Sequence, residues 1–218
     1  MKKALFYLLF GLSLTISAAA QQDEASWVLE RTENGINAYT RLVDKQPYKE
    51  FKLETVLLAP MDSIIAVLEN VVASTEKDPY ITHVELIGDK NEKEFVVYFQ
   101  IRTPFFSKDR DLVLKYASSR TQSGYIQYAK AEPNLVSLNP DFIRIPVANY
   151  ITSVHSLGKD SSLLVYRGTI QPGGNISVGF VNKYMLNSPI NRVSEIKALV
   201  KHEDFIISKE EKITPEKE

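Results

Sequence analysis

One stretch near the C-terminus, from Gln171 to Asp204, constrains everything before it. It opens with Gln171-Pro172-Gly173-Gly174-Asn175, a run that stops a strand. Proline cannot donate to a ladder, and paired glycines reach backbone angles that other residues avoid. The longest helical pattern in the chain follows. Val178, Val181, Met185, Pro189, Val193, Ile196 and Leu199 or Val200 recur at steps of three and four, which places them on one face. Asn182, Lys183, Asn187, Asn191, Glu195, Lys197 and Lys201 fill much of the rest. Pro189 is expected to kink this helix or split it in two. A long helix with an apolar stripe, coming after many strands, needs a sheet to lie against. The pattern predicts a sheet that curls around the helix, with a site in the space between them.

The other end of the chain has a different character. Lys2-Lys3 make a short positive start, Ala4 to Ile16 is an apolar run, and Ala18-Ala19-Ala20 is a small-residue cleavage site before Gln21. This pattern predicts a secretory signal peptide over 1–20 and an exported, soluble protein, periplasmic or secreted. No cysteine follows, so a lipid-modified N-terminus is excluded, and no later apolar stretch is long enough to span a bilayer. Without cysteines, stability must come from packing alone, and thiol catalysis, thiolate metal sites and haem attachment are excluded. The net charge of −1 has both signs interspersed, so the basic field that nucleic-acid binding needs is missing. The remainder reads as one domain over 21–206 and a charged, solvated tail over 207–218.

Between the two ends, strands dominate. Trp27 to Arg31, Ile36 to Val43 and Phe51 to Leu58 read as an antiparallel meander, with Asn34-Gly35 as its first turn. Pro60 opens a short helix carrying Ile64, Ile65, Val67, Leu68, Val71 and Val72, and a turn or second short helix follows over Ser74 to Tyr80. Strands are then expected over His83–Ile87, Glu94–Arg102, Asp109–Ser118, Gly124–Ala131, Phe142–Ser156 and Ser162–Ile170. Ala131 to Pro140 is too long for a hairpin turn and is expected as a loop over the mouth of the curled sheet.

Alternation assigns the faces. Phe95, Val97, Phe99 and Ile101 share one side of their strand, and Arg110, Leu112, Leu114 and Tyr116 share one side of the next. These sets are expected to face the C-terminal helix, with Arg110 and Tyr116 as the polar exceptions; a slip of one residue would reverse the assignment.

The order of elements and four stretches together resemble the START family, the steroidogenic acute regulatory-related lipid transfer domains. Trp27-Val28-Leu29 with Gly35 to Arg41 looks like the family's opening strands. Pro104-Phe105-Phe106-Ser107-Lys108-Asp109-Arg110-Asp111-Leu112-Val113 is similar to its proline, Arg-Asp and apolar strand. Phe142-Ile143-Arg144 matches the strand after the loop that covers the cavity, and Pro172 to Ser177 with Val181-Asn182 matches the start of the closing helix. The chain departs from the family in offering Tyr80 where a tryptophan is usual and Ser177 where a proline is usual. The buried acid–base pair of some sterol-binding members would fall on Val97 and Tyr116 and is missing, which argues against a sterol. The resemblance implies an α+β helix-grip fold (START/Bet v 1-like), a curved antiparallel sheet wrapped around a long C-terminal helix.

It also implies a carrier of a hydrophobic, lipid-like molecule with transient membrane contact, no cofactor, and a monomeric state. The expected lining is Phe95, Val97, Phe99, Ile101, Leu112, Leu114, Met185, Ile190 and Val193, with Arg110 and Tyr116 at the polar end. Loading would need the 131–140 loop or the closing helix to move, with Gly179 and Pro189 as its weak points. Arg110-Asp111 is expected to serve the fold, and Arg144 and Arg167 to be solvated or paired on the convex face. Two other readings remain open: an enzyme of the cyclase or hydrolase type found in the wider superfamily, and an envelope scaffold. His83, His155 and His202 show no metal spacing, and the mature chain has no G-x-S-x-G elbow, so no catalytic set can be assembled from spacing.

Overall fold

The computed structural model describes residues 27–201 apart from 44–45, 76–77, 92–93 and 104–107. The expected signal segment, the expected tail, Pro104 to Ser107 and His202 therefore lie outside the described residues. Ten strands form one sheet in the order β1-β2-β3-β10-β9-β7-β6-β5-β4, with β8 added beside β6. The first three, β1 (Val28–Glu33), β2 (Ile36–Arg41) and β3 (Glu50–Leu57), are the expected meander. Asn34 and Gly35 turn the first corner with φ of 52° and 72°. Two left-handed residues in succession give the turn whose twist matches a hairpin, which is why Asn-Gly stands there.

After Pro60 come α1 (Met61–Glu69) and α2 (Val71–Thr75), separated at Asn70. The strands β4 (Ile81–Ile87), β5 (Glu94–Ile101), β6 (Arg110–Arg120) and β7 (Gly124–Ala131) then run antiparallel to one another. The strand expected over Phe142–Ser156 is instead two, β8 (Ile143–Arg144) and β9 (Val147–Gly158), parted at Ile145-Pro146. The reason lies in β6. Its ladder with β7 reaches only as far as Leu114, and β8 takes the free edge at Arg110 and Asp111 in parallel. Pro146, with no N–H to give, is where the chain leaves that edge. β10 (Ser161–Gln171) completes the sheet between β9 and β3. The sheet is open, with β1 and β4 at its ends.

The closing helix is split, as its proline predicted, but four residues earlier. α3 (Val178–Tyr184) and α4 (Asn187–Leu199) meet at Met185-Leu186. Pro189 lies in the first turn of α4, where its missing N–H has no intrahelical partner to lose. Ser177, where the family usually has proline, accepts a hydrogen bond from the Phe180 N–H at 3.3 Å and so caps α3.

The core has two parts. In the first, α4 packs on β2 and β3 and α1 on β9, with Ile64, Val67, Ile190, Val193, Phe51 and Leu53 in one cluster. In the second, Phe95, Val97, Phe99, Leu112, Leu114 and Tyr116 gather with Val71 of α2. Tyr150 packs against both.

Candidate ligand site

The register of the sheet lays out its inner face in rows. One row runs across six strands as Phe95, Tyr116, Ala129, Tyr150, Gly168 and Phe51. Another runs Ser118, Gln127, Thr152, Tyr166 and Leu53. Side chains pointing inward from the central strands are small where Ala129, Ala131, Ala148 and Gly168 stand, so the floor of the sheet is low there. Large rings flank it. Phe95 stacks on Tyr116 with centroids 4.7 Å apart, and Phe51 meets Tyr166 edge-on at 5.2 Å.

Tyr150 takes its position from its neighbour. A Cβ on Gly168 would lie 2.5 Å from both the Asn149 carbonyl oxygen and Cδ1 of Tyr150. Only glycine lets that ring lie down on the sheet.

Tyr116, Tyr150 and Tyr166 lie so deep that burial pushes all three hydroxyls well above the usual phenol range. Yet Tyr150 and Tyr166 keep accessible surface and are only partly buried. Among the described residues, none of the three hydroxyls has a hydrogen-bond partner. Buried polar groups are nearly always satisfied; among the described residues the buried side-chain atom left without a partner is an oxygen of Glu195. Nearby Gln127 shows the ordinary case, donating to the Leu68 carbonyl at 3.2 Å.

Arg192 of α4 faces the same region. Its guanidinium donates to the carbonyl and the hydroxyl oxygen of Ser74, at 2.7 and 2.8 Å, and holds the end of α2. The cation offsets part of the effect of burial on Tyr116 and Tyr166. Glu195, three residues along α4, pairs with the same guanidinium at 3.8 Å, with one carboxylate oxygen buried and without a hydrogen bond. Burial, then the nearby Asp78, push the Glu195 carboxyl up to about 7 against the pull of Arg192.

The residues expected at the site fall into three groups. Phe95, Val97, Phe99, Leu112, Leu114 and Tyr116 come together on the inner face, with Ile101 partly buried beside them. Met185, Ile190 and Val193 belong to the other part of the core, across the interior. Arg110 faces inward and is buried, but its donors meet carbonyls of its own chain: Lys108 at 2.5 Å, and Pro172 and Gly173 at 3.4 Å. It fastens the turn into α3. Asp111, on the opposite face of β6, pairs with Arg144, so the adjacent Arg-Asp motif is two separate clamps. Arg144, expected solvated or paired on the convex face, is paired there and buried, because β8 runs beside β6 in register with Asp111. Arg167 lies on the outer face.

The sequence reading did not include Tyr150, Tyr166 or Arg192. The tyrosines could have been found by extending the alternation of Ala148, Thr152 and Val154 and of Leu164 and Gly168. Arg192 carried no signal of its own beside the apolar stripe. His83 and His155 are exposed or partly so, and the structure brings neither into the interior.

An open groove of about 560 Å³ lies on the outer face, over Ile126, Ile151, Leu163 and Val165, rimmed by Trp27, Lys52 and Arg167. It lies on the face of the sheet away from the helices, where Lys52, Glu54, His155 and Arg167 add charge and polarity to its apolar floor. The interior is the better candidate.

No family model matches the chain. It is 24% identical over 194 residues to an uncharacterized protein of Pseudomonas aeruginosa, over 86% of this chain and 96% of that one. It superposes on a STAR-related lipid transfer protein (fragment 25-204) from Xanthomonas axonopodis with a TM-score of 0.75 at 23% identity, over 81% of this chain and 99% of the other. Human STARD10 superposes with a TM-score of 0.73 at 18% identity, over 89% and 83% of the two chains. The Zhui aromatase/cyclase from a Streptomyces species gives 0.51 at 10% identity, over 69% and 90%.

Proposed function

We propose that this chain, whose fold is that of the START-related lipid transfer domains, is a binding protein that holds an amphiphilic, lipid-like molecule between its sheet and α4. The observation that carries this is the trio Tyr116, Tyr150 and Tyr166, three polar tips set among the two apolar clusters of the inner face, with Tyr150 packed against both. An apolar interior gains roughly 0.8 kcal/mol for each methylene it takes from water. A few polar groups then fix which end goes where. The lipid-transfer names of the Xanthomonas and human structures agree with this reading. Binding is favoured over a cyclase-type reaction because burial holds the tyrosine hydroxyls in their neutral form. They can donate and accept hydrogen bonds, but they are poor bases.

Native mass spectrometry of gently purified protein tests the proposal. An adduct of lipid mass, lost when Gly168→Leu fills the floor beneath Tyr150, supports it. Repeated preparations without an adduct, and none after incubation with a total lipid extract, would overturn it. Export belongs to the same proposal and rests on the Lys2-Lys3, Ala4–Ile16 and Ala18-Ala19-Ala20 pattern. A mature mass beginning at Gln21 supports export; an intact, uncleaved chain retained in the cytoplasm speaks against it.

A further inference from the structure

Independently of what the interior holds, we infer that the free edge of β4 is a pairing surface for a second copy of this chain, in the antiparallel register centred on Val84. The sheet is open, and among the described residues β4 has β5 on one side and no strand on the other. Such an edge presents a row of backbone N–H and C=O groups to whatever strand can meet it. β4 reads Ile81-Thr82-His83-Val84-Glu85-Leu86-Ile87, with no proline, glycine or lysine to deter pairing. Ile81 and Val84 turn inward to the second part of the core, beside Val71 and Val72 of α2.

The order of residues selects the partner. Directly opposed residues of an antiparallel pair share a face, so two identical strands related by a two-fold axis must set one residue opposite its own copy. Centring on Glu85 sets two carboxylates face to face, which is repulsive, and centring on His83 sets two imidazoles together. Centring on Val84 sets His83 opposite Glu85 of the second copy and Glu85 opposite its His83, with valine against valine between them. His83 and Glu85 stand on the outer face of β4, opposite Gln100 and Tyr98 of β5. Within one chain their Nε2 and Oε2 atoms are 3.5 Å apart, with 45% and 50% of the side chains exposed. Pairing gives each carboxylate a second imidazole across the interface. Leu86, 40% exposed, gains Val84 of the second copy as a diagonal neighbour. The bulge between Ile81 and His83 falls outside the three central pairs.

The other end of the sheet gives the contrast. β1 reads Val28-Leu29-Glu30-Arg31-Thr32-Glu33, and either register that pairs five of its residues with a copy sets Glu30 or Arg31 against itself. Its bulge also lies in the middle of the strand, between Leu29 and Arg31. Charge and bulge guard β1, whereas the charges of β4 match their own copy.

Sedimentation equilibrium of the purified chain between about 10 µM and 1 mM tests this, a range suited to an interface of strand-edge size. A reversible dimer is expected, in place of the monomer that the family resemblance implies. His83→Glu sets like charges opposite each other and should weaken the dimer about tenfold. Exchanging the two residues, His83→Glu with Glu85→His, rebuilds the same cross-strand pairs and should return the dimer to within about threefold of the parent. Amide exchange over 83–87 should slow as concentration rises, while β1 stays unchanged. A chain that stays monomeric throughout the range, or a dimer indifferent to His83→Glu, overturns the inference. So does a loss on His83→Glu that the exchange does not repair.

Discussion

Arg144 closes on Asp111 through two hydrogen bonds, Nε to Oδ1 at 2.9 Å and Nη2 to Oδ2 at 2.8 Å, with 7% and 1% of the two side chains exposed. The remaining donors of Arg144 reach the carbonyls of Pro133, Val136 and Ser137, so one side chain ties the 133–137 loop to the outer face of β6. The loop expected over the mouth is thus anchored from behind the sheet. Removing one partner of a buried pair leaves a charge with no compensation, at a cost of about 3–5 kcal/mol. Arg144→Met is therefore expected to lower the unfolding free energy by about that much and to speed amide exchange over 133–137. A loss below about 1 kcal/mol in a denaturant titration would show that the pair is not a principal fastening.

Arg110 predicts a more local effect. Arg110→Gln should release the Pro172 and Gly173 carbonyls and loosen the turn that aims α3. Gly173 and Gly174 hold φ of 68° and 64° there, and a Cβ at either would crowd the Arg144 carbonyl or Ile143. Hydrogen exchange is expected to rise over 172–184 and stay flat in β2 and β3. Uniform acceleration across the chain would mean that the residue serves global stability instead.

Gly168→Ala tests the floor of the interior. The added Cβ would need to occupy a point 2.5 Å from Tyr150 and from a backbone oxygen, so the ring and the strand must shift. Overpacking of this kind costs about 1–3 kcal/mol. Thermal melts should show that loss, and lipid-mass adducts should weaken along with it. A variant as stable as the parent would indicate that the ring has somewhere else to go.

Glu195 gives the chain a pH dependence with a definite sign. Its folded carboxyl titrates near 7 against an ordinary value of 4.5, so between those values the folded state holds more protons than the unfolded. Stability from this group therefore falls as pH rises through that window and is level above it. The size is on the order of 1–3 kcal/mol, because the side chain is partly solvated and Arg192 is close. Glu195→Gln should be more stable than the parent at pH 8, and the gap should narrow toward pH 5. A gap that stays constant would place the ionisation elsewhere.

Much of the architecture was legible in local patterns. Asn34-Gly35 specified a turn because few residues tolerate φ above zero in succession, and Pro60 marked a helix start because its ring suits a first turn. The alternation in β5 and β6 placed Phe95, Val97, Phe99, Leu112, Leu114 and Tyr116 on one face, since side-chain direction in a strand depends on nothing but parity. Proline chemistry also foretold a break in the closing helix. It misplaced that break, because a proline marks the turn it can enter as well as the one it cannot continue.

The partnerships were not legible. Arg110 and Asp111 are adjacent, yet the pleat sends them to opposite faces, one to the Pro172-Gly173 carbonyls and the other to Arg144, and the choice between them depends on β8 arriving in register. Tyr116, Tyr150, Tyr166 and Arg192 come from three strands and a helix and meet only once the sheet has curved over α4. Periodicity reports which way a side chain points, and that is a property of the backbone a few residues either side. What it points at is settled by contacts across long loops, whose geometry the linear order does not carry.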